Sequence, residues 1–174
     1  FGKELTAWDA EHGAEPMAQP ETYKIGNRVL RDPRPFHPQR LHQVYTQALG
    51  IGIYRSKGFF WLPTRDNLML LWNQTGGSVG LEIVNYWKIS ALEDDSLNLS
   101  DWEKSEMRGR LLQAHPDFGD RRCQLTVIGD ELELDTFVEA LQTCFCTDHE
   151  IAAWKAGESF TDPWPKSVAS LRAV

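Results

Sequence analysis

The chain has 174 residues, with 25 Asp and Glu against 18 Lys and Arg and a formal charge of −7. That length suits one well-buried core and is tight for two. The negative charge disfavours phosphate backbones, whose binding needs Lys and Arg to neutralise them, so nucleic acid is not an expected partner. No apolar run approaches the roughly 20 residues of a membrane span and no basic-then-apolar leader opens the chain, so neither membrane insertion nor secretion is expected.

Residues 1–22 are rich in Ala, Glu, Gly and Pro and lack a sustained period. They are expected to form a linker or loosely ordered segment, with a helical turn near Leu5 to Asp9 and Trp8 as an anchor if the segment instead packs as a lid. The folded domain is expected over residues 23–174. It opens with a strand from about Tyr23 into Arg34-Pro35-Phe36, where Pro33 and Pro35 cannot donate to a ladder and place this end at an edge. His37-Pro38 then starts a helix: Pro is pre-organised for the first helical position, Leu41, Val44, Tyr45, Ala48 and Leu49 share one face, and Gly50 stops it.

Ile53 to Leu62 reads as a strand bounded by Pro63, with Gly58 marking a bulge or a close backbone approach. Leu68 to Asn73 and Val79 to Val84 form a hairpin around Gln74-Thr75-Gly76-Gly77-Ser78. Ser100 followed by Glu103 is a capping box opening a helix to about Gln113, with Trp102, Met107 and Leu111 facing inward. Gln124 to Gly129 is a further strand. Asp135 caps a helix carrying Phe137, Val138, Leu141 and Phe145 on one face, and Thr147 with Glu150 repeats the capping box for a short helix. Beyond Gly157, Pro163 and Pro165 exclude a long regular element, while Phe160 and Trp164 are placed to pack back on the core. The order β-α-β-β-β-α-β-α predicts an α+β fold, a mainly antiparallel sheet of about five strands with helices packed on one face.

Several patterns bear on chemistry. Gly76-Gly77-Ser78-Val79-Gly80 has the glycines of a phosphate loop without its lysine, and it lies in a hairpin rather than before a helix, which argues against nucleotide binding. Cys144, Cys146 and His149 combine thiols and an imidazole that suit zinc. Positions two apart on a helix point about 200° from each other, so this set converges only if the helix ends between the cysteines. Otherwise Cys144 is a small core residue and Cys146 a semi-exposed thiol. Three cysteines are an odd number for a disulfide framework, and a reducing cytoplasmic setting fits best. A hydrolase assembled from His115, Asp117 and Asp120 is formally conceivable, but these residues lack an evident nucleophile.

Asp120-Arg121-Arg122 leaves two options open: the arginines fork onto a partner's carboxylates, or they pair internally. In Lys57-Gly58-Phe59-Phe60-Trp61, Phe59 and Trp61 share one face of the strand and Phe60 the other. An uncovered Phe60 would then mark a contact surface, and Phe60, Arg121 and Arg122 form the candidate partner-binding face.

Three phrases in this order, Arg34-Pro35-Phe36-His37-Pro38-Gln39-Arg40-Leu41, Lys57-Gly58-Phe59-Phe60-Trp61-Leu62 and Gly119-Asp120-Arg121-Arg122-Cys123-Gln124-Leu125, resemble the carboxy-terminal domain of the CobW-type GTPases, a family of metal chaperones linked to cobalamin synthesis, nitrile hydratase activation and zinc limitation. The resemblance covers roughly Arg28 to Asp148. It implies a client-recognition or interdomain regulatory module without catalysis or a cofactor of its own. GTP, magnesium and zinc or cobalt would belong to the parent protein, whose amino-terminal GTPase domain and client metalloprotein would be the partners. A chain beginning at Phe1 rather than Met fits a piece of such a protein. The family has one cysteine where this chain has both Cys144 and Cys146, which leaves open the alternative of a metal-carrying domain using Cys144, Cys146 and His149.

Overall fold

The structure is a computed structural model that describes residues 24–166. The expected linker over residues 1–22, including Trp8, lies outside the described residues. Five strands form one sheet in the order β1-β5-β2-β3-β4: β1 (Ile25–Asp32), β2 (Ile53–Phe60), β3 (Leu68–Thr75), β4 (Ser78–Tyr86) and β5 (Cys123–Asp130). Every neighbouring pair is antiparallel. Strands β2 to β4 form a meander, and β5 inserts between β1 and β2. The α+β expectation is borne out, helices on one face included.

That face is covered by α1 (Pro38–Gln47) and α4 (Glu131–Gln142). Alternate residues point inward, so Leu30, Phe60, Leu70, Trp72, Leu81, Leu125 and Val127 are buried beneath Leu41, Leu134, Phe137 and Leu141. Each such side chain contributes about 1.5–3 kcal/mol by leaving water. Pro38 opens α1 as expected, and His37 Nδ1 accepts the Arg40 N–H at 3.4 Å as the cap. Trp164 returns to this core, donating its indole N–H to Pro38 O at 3.0 Å and packing on Trp72 and Tyr45.

Elsewhere the elements shift for identifiable reasons. Strand β1 stops at Asp32, before the prolines, and Phe36 makes only an isolated bridge with Phe145. Helix α4 begins at Glu131 because Asp130, not Asp135, is its cap, accepting from Leu132 N–H at 2.9 Å. Asp135 instead pairs with Arg28 at 2.8 Å. Both capping boxes form, at the starts of α3 (Asp101–Leu111) and α5 (Asp148–Lys155). Trp102, placed inward on the sequence, is 71% exposed. Helix α3 lies mainly against α2 (Lys88–Glu93), a helix too short to show in the periodicity, and only its Met107 and Leu111 side is partly covered.

Candidate functional site

The three phrases meet at one joint. Phe36 donates its N–H to Trp61 O at 3.2 Å, the Trp61 indole donates to Pro33 O at 3.1 Å, and Gly58 pairs across the sheet with Leu125. The Cys123 thiol closes the ring by donating to Arg34 O at 3.3 Å. These residue types are conformationally special because the backbone passes through a crowded point, and their side chains are spent on the core.

Phe60 lies inside that core, 0% exposed and packed edge-on to Trp72, so it is withdrawn from the partner-binding face. The surface aromatic on β2 is Phe59, half-buried, with the Arg122 guanidinium 5.2 Å above its ring. Alternation separated the two phenylalanines correctly but could not say which side the helices would cover.

Asp120, Arg121 and Arg122 perform three different jobs. The Asp120 carboxylate accepts the Lys88 and Ile89 N–H groups at 3.0 and 3.1 Å and so caps α2 from across the fold. Arg121 is 7% exposed and is therefore also withdrawn from a solvent-facing site. Its Nε donates to Asp66 O and its Nη2 to Ser90 Oγ, both at 2.7 Å, and its guanidinium carbon lies 5.5 and 5.7 Å from the ring centroids of Trp61 and Trp154, which pack edge-on to each other. Burial pushes its pKa down from the ordinary arginine value. Of the three candidate partner residues only Arg122 is exposed.

Beside Arg121 opens a cleft of about 600 Å³, lined by Asp66, Glu93, His115, Asp117 and Trp154. The conceivable hydrolase set does not assemble in it. His115 Nδ1 accepts the Asp117 N–H and its ring stacks on Phe118, Asp117 pairs with Lys155, and Asp120 is occupied at α2.

The second candidate set is dispersed as well. Helix α4 ends at Gln142, so Cys144 and Cys146 both lie beyond it, and the expected helical obstacle disappears. They are nevertheless both 0% exposed, while His149 faces solvent. Burial pushes the Cys144 thiol up to about 11 and the Cys146 thiol up to about 12, which opposes the thiolate that a metal requires. Their backbones stitch this turn to the first phrase: Cys144 O accepts from His37 N–H at 2.7 Å, and Cys146 N–H donates to Pro35 O at 2.9 Å. Among the described residues, no group of three or more His, Cys, Asp or Glu side chains could hold a metal ion.

The polar group at this turn is an ion pair that the sequence pattern did not reveal. Arg40 grips Glu150 with two bonds, at 2.6 and 2.7 Å, and also donates to Phe145 O. The same Glu150 accepts the Thr147 N–H at 2.8 Å. The Arg40 guanidinium, foremost among these causes, holds the Glu150 carboxyl at about 2 against an ordinary value of 4.5. A depressed carboxyl stabilises the fold fully above its unfolded value and loses that contribution as pH falls through the folded one. Urea midpoints of the native chain should therefore fall between about pH 4.5 and 2. Glu150→Gln should be less stable at neutral pH and show a flatter slope across that window. An unchanged slope would mean the pair carries no stability.

On the opposite side of the sheet, Arg31, Arg55, Lys57 and Arg122 are exposed. No described helix packs over this face at β1, β5 and β2; the period-two pattern of these strands carried the signal, once an inner face is assigned.

Comparison with known proteins places this arrangement. The chain is 30% identical over 131 residues to the zinc chaperone Rv0106 of Mycobacterium tuberculosis, covering 75% of this chain and 32% of that protein. It is 31% identical over 141 residues to zinc-regulated GTPase metalloprotein activator 1 of Dictyostelium discoideum, covering 78% and 29%. The chain thus spans about a third of the length of these relatives. Among solved structures, zinc-bound YjiA GTPase from E. coli matches 70% of this chain and 30% of that one, at 14% identity and a TM-score of 0.46. Residues 25–145 match the cobalamin synthesis protein cobW C-terminal domain, and the chain belongs to that family.

Proposed function

We propose that residues 23–174 form a non-catalytic module of a longer GTP-dependent metal chaperone in the cytoplasm, with residues 1–22 as its linker. The module recognises a client metalloprotein or regulates the adjoining GTPase domain, and GTP, magnesium and zinc or cobalt are handled by that domain. The observation that carries this reading is the joint at Phe36, Trp61, Arg121 and Cys123: the phrases that mark the family maintain a shape, and leave recognition to the surfaces they support. The names of the relatives, a zinc chaperone and a GTPase metalloprotein activator, supply the setting. Regulation would require that the module contact the GTPase domain differently in its two nucleotide states.

The competing assignment, a metal carrier using Cys144, Cys146 and His149, is tested directly. The reduced protein should bind zinc and cobalt no tighter than about 1 μM in competition with a chromophoric chelator. Its three thiols should react slowly with a thiol reagent until urea exposes them. Tight binding lost in both Cys144→Ser and Cys146→Ser would move metal handling into this domain. GTP turnover by this chain alone would overturn the non-catalytic reading.

A further inference from the structure

We infer that the outer face of the sheet docks an acidic polypeptide segment of a partner protein, which deepens and rests on the recognition role proposed above. Three aligned rows cross β1, β5 and β2 on this face: Asn27, Ile128 and Arg55; Val29, Thr126 and Lys57; Arg31, Gln124 and Phe59. Neighbouring strands lie about 4.8 Å apart and side chains on one face recur about every 6.8 Å along a strand, so the rows form one contiguous surface. Its apolar centre is Val29, 45% exposed, and Ile128, 36% exposed. Arg31, Arg55 and Lys57 surround that centre, and Arg122 lies over Phe59 at the end of the third row. An apolar centre within a charged rim is the usual anatomy of a protein interface.

Charge identifies the occupant. The described cations elsewhere are mostly neutralised at home, as in Arg28 with Asp135, Arg34 with Asp32, Arg40 with Glu150 and Arg65 with Asp162. None of Arg31, Arg55, Lys57 and Arg122 has a carboxylate within ion-pair distance among the described residues. The register places two carboxylates on the same face, Glu82 opposite Leu71 on the far strand and Asp130 opposite Ile25 at the end of β5, and Asp130 is engaged as the cap of α4. A chain of net charge −7 has therefore gathered on one face four cations that, among the described residues, are neither paired nor covered. Carboxylates are the complementary chemistry, and they also select against the acidic surfaces of this chain itself. Single-stranded RNA fits less well, because stacking platforms present bare aromatic rings. Here the one ring on the three rows, Phe59, is packed against Trp87 and covered by Arg122.

The probe is a fluorescein-labelled peptide repeating Glu-Glu-Leu-Glu, titrated with the full chain and followed by anisotropy. Saturable binding that weakens with salt is expected. Arg55→Glu with Lys57→Glu should weaken it at least about tenfold, and Arg55→Gln with Lys57→Gln by less. Arg108→Glu with Lys166→Glu, the same charge change away from the sheet, should leave it unaltered. Circular dichroism verifies folding, and the glutamine pair serves if the reversed pair does not fold. Equal binding by the sheet variants, absence of binding, or tighter binding of oligouridine at the same residues would overturn the inference. So would carbodiimide cross-links from Lys57 to carboxylates of residues 1–22 in the free chain, which would give the face to the chain's own acidic leader. These outcomes leave the recognition role intact, whereas zinc capture or GTP turnover by this chain would sink that role whatever the peptide does.

Discussion

Gly58→Ala is expected to be the most damaging single-methyl change in this domain, costing about 3 kcal/mol or more and lowering the thermal midpoint by about 10 °C. An alanine Cβ there would stand 1.9 Å from the Gln124 carbonyl oxygen and 2.8 Å from the Leu125 Cα. Both obstacles are backbone atoms of the neighbouring strand, so no rotamer change relieves the clash. Relief requires β2 and β5 to separate at the centre of the sheet, where Gly58 is also opposite Trp72 on β3. The sequence left a bulge and a close approach as alternatives, and the register is continuous through Gly58, so close approach is the reason for the glycine. Gly77→Ala is the control: nothing lies within 4 Å of its Cβ position, and the change should stay within about 0.5 kcal/mol. Thermal unfolding of the two variants side by side decides the matter, and a Gly58→Ala midpoint close to that of the native chain would refute the steric account.

The adjacent arginines are expected to behave oppositely. Arg121→Ala should cost about 3 kcal/mol, because it removes the guanidinium bonds to the Asp66 carbonyl and the Ser90 hydroxyl and leaves a void beside the Trp61–Trp154 pair. Arg121→Lys should recover only about 1 kcal/mol of that, since an ammonium lacks the planar fork that reaches both acceptors and packs against the two indoles. Arg122→Ala should change stability by about 0.5 kcal/mol or less, because its guanidinium is exposed and rests on a single ring. Urea denaturation measures all three, with near-ultraviolet circular dichroism reporting the tryptophan packing. Similar losses at both positions would contradict the division of labour between them.

Local chemistry is what the chain spells out most clearly. Pro38 at a helix start and the two capping boxes act through groups three or four residues apart, and all appear where expected. Misreadings arise where a local rule needs tertiary information to finish it. Period-two alternation cannot choose between Phe59 and Phe60 until the helices take a side. Period 3.6 aligned Trp102 with Met107 and Leu111 but could not reveal that α3 lies mainly against the short α2. Of two aspartates able to cap α4, the nearer, Asp130, prevailed because β5 runs directly into the helix. The candidate site was less legible still, since Arg121 finds Asp66, Ser90 and Trp154 in three distant segments, and Cys144 and Cys146 are defined by burial that spacing does not encode.

The insertion of β5 between β1 and β2 also fixes an order of events. Asp32 pairs with Cys123, so among the described residues β1 has no strand neighbour until the 90 residues between these two have been made. The meander of β2 to β4 can close early, leaving the inner edge of β2 unpaired. Loop-closure entropy makes the late strand the slow step, and an unpaired edge is a template for misassembly while it waits. Nascent chains halted before Gly129 would accordingly be the aggregation-prone species, and a holdase with an appetite for extended strands would act on them.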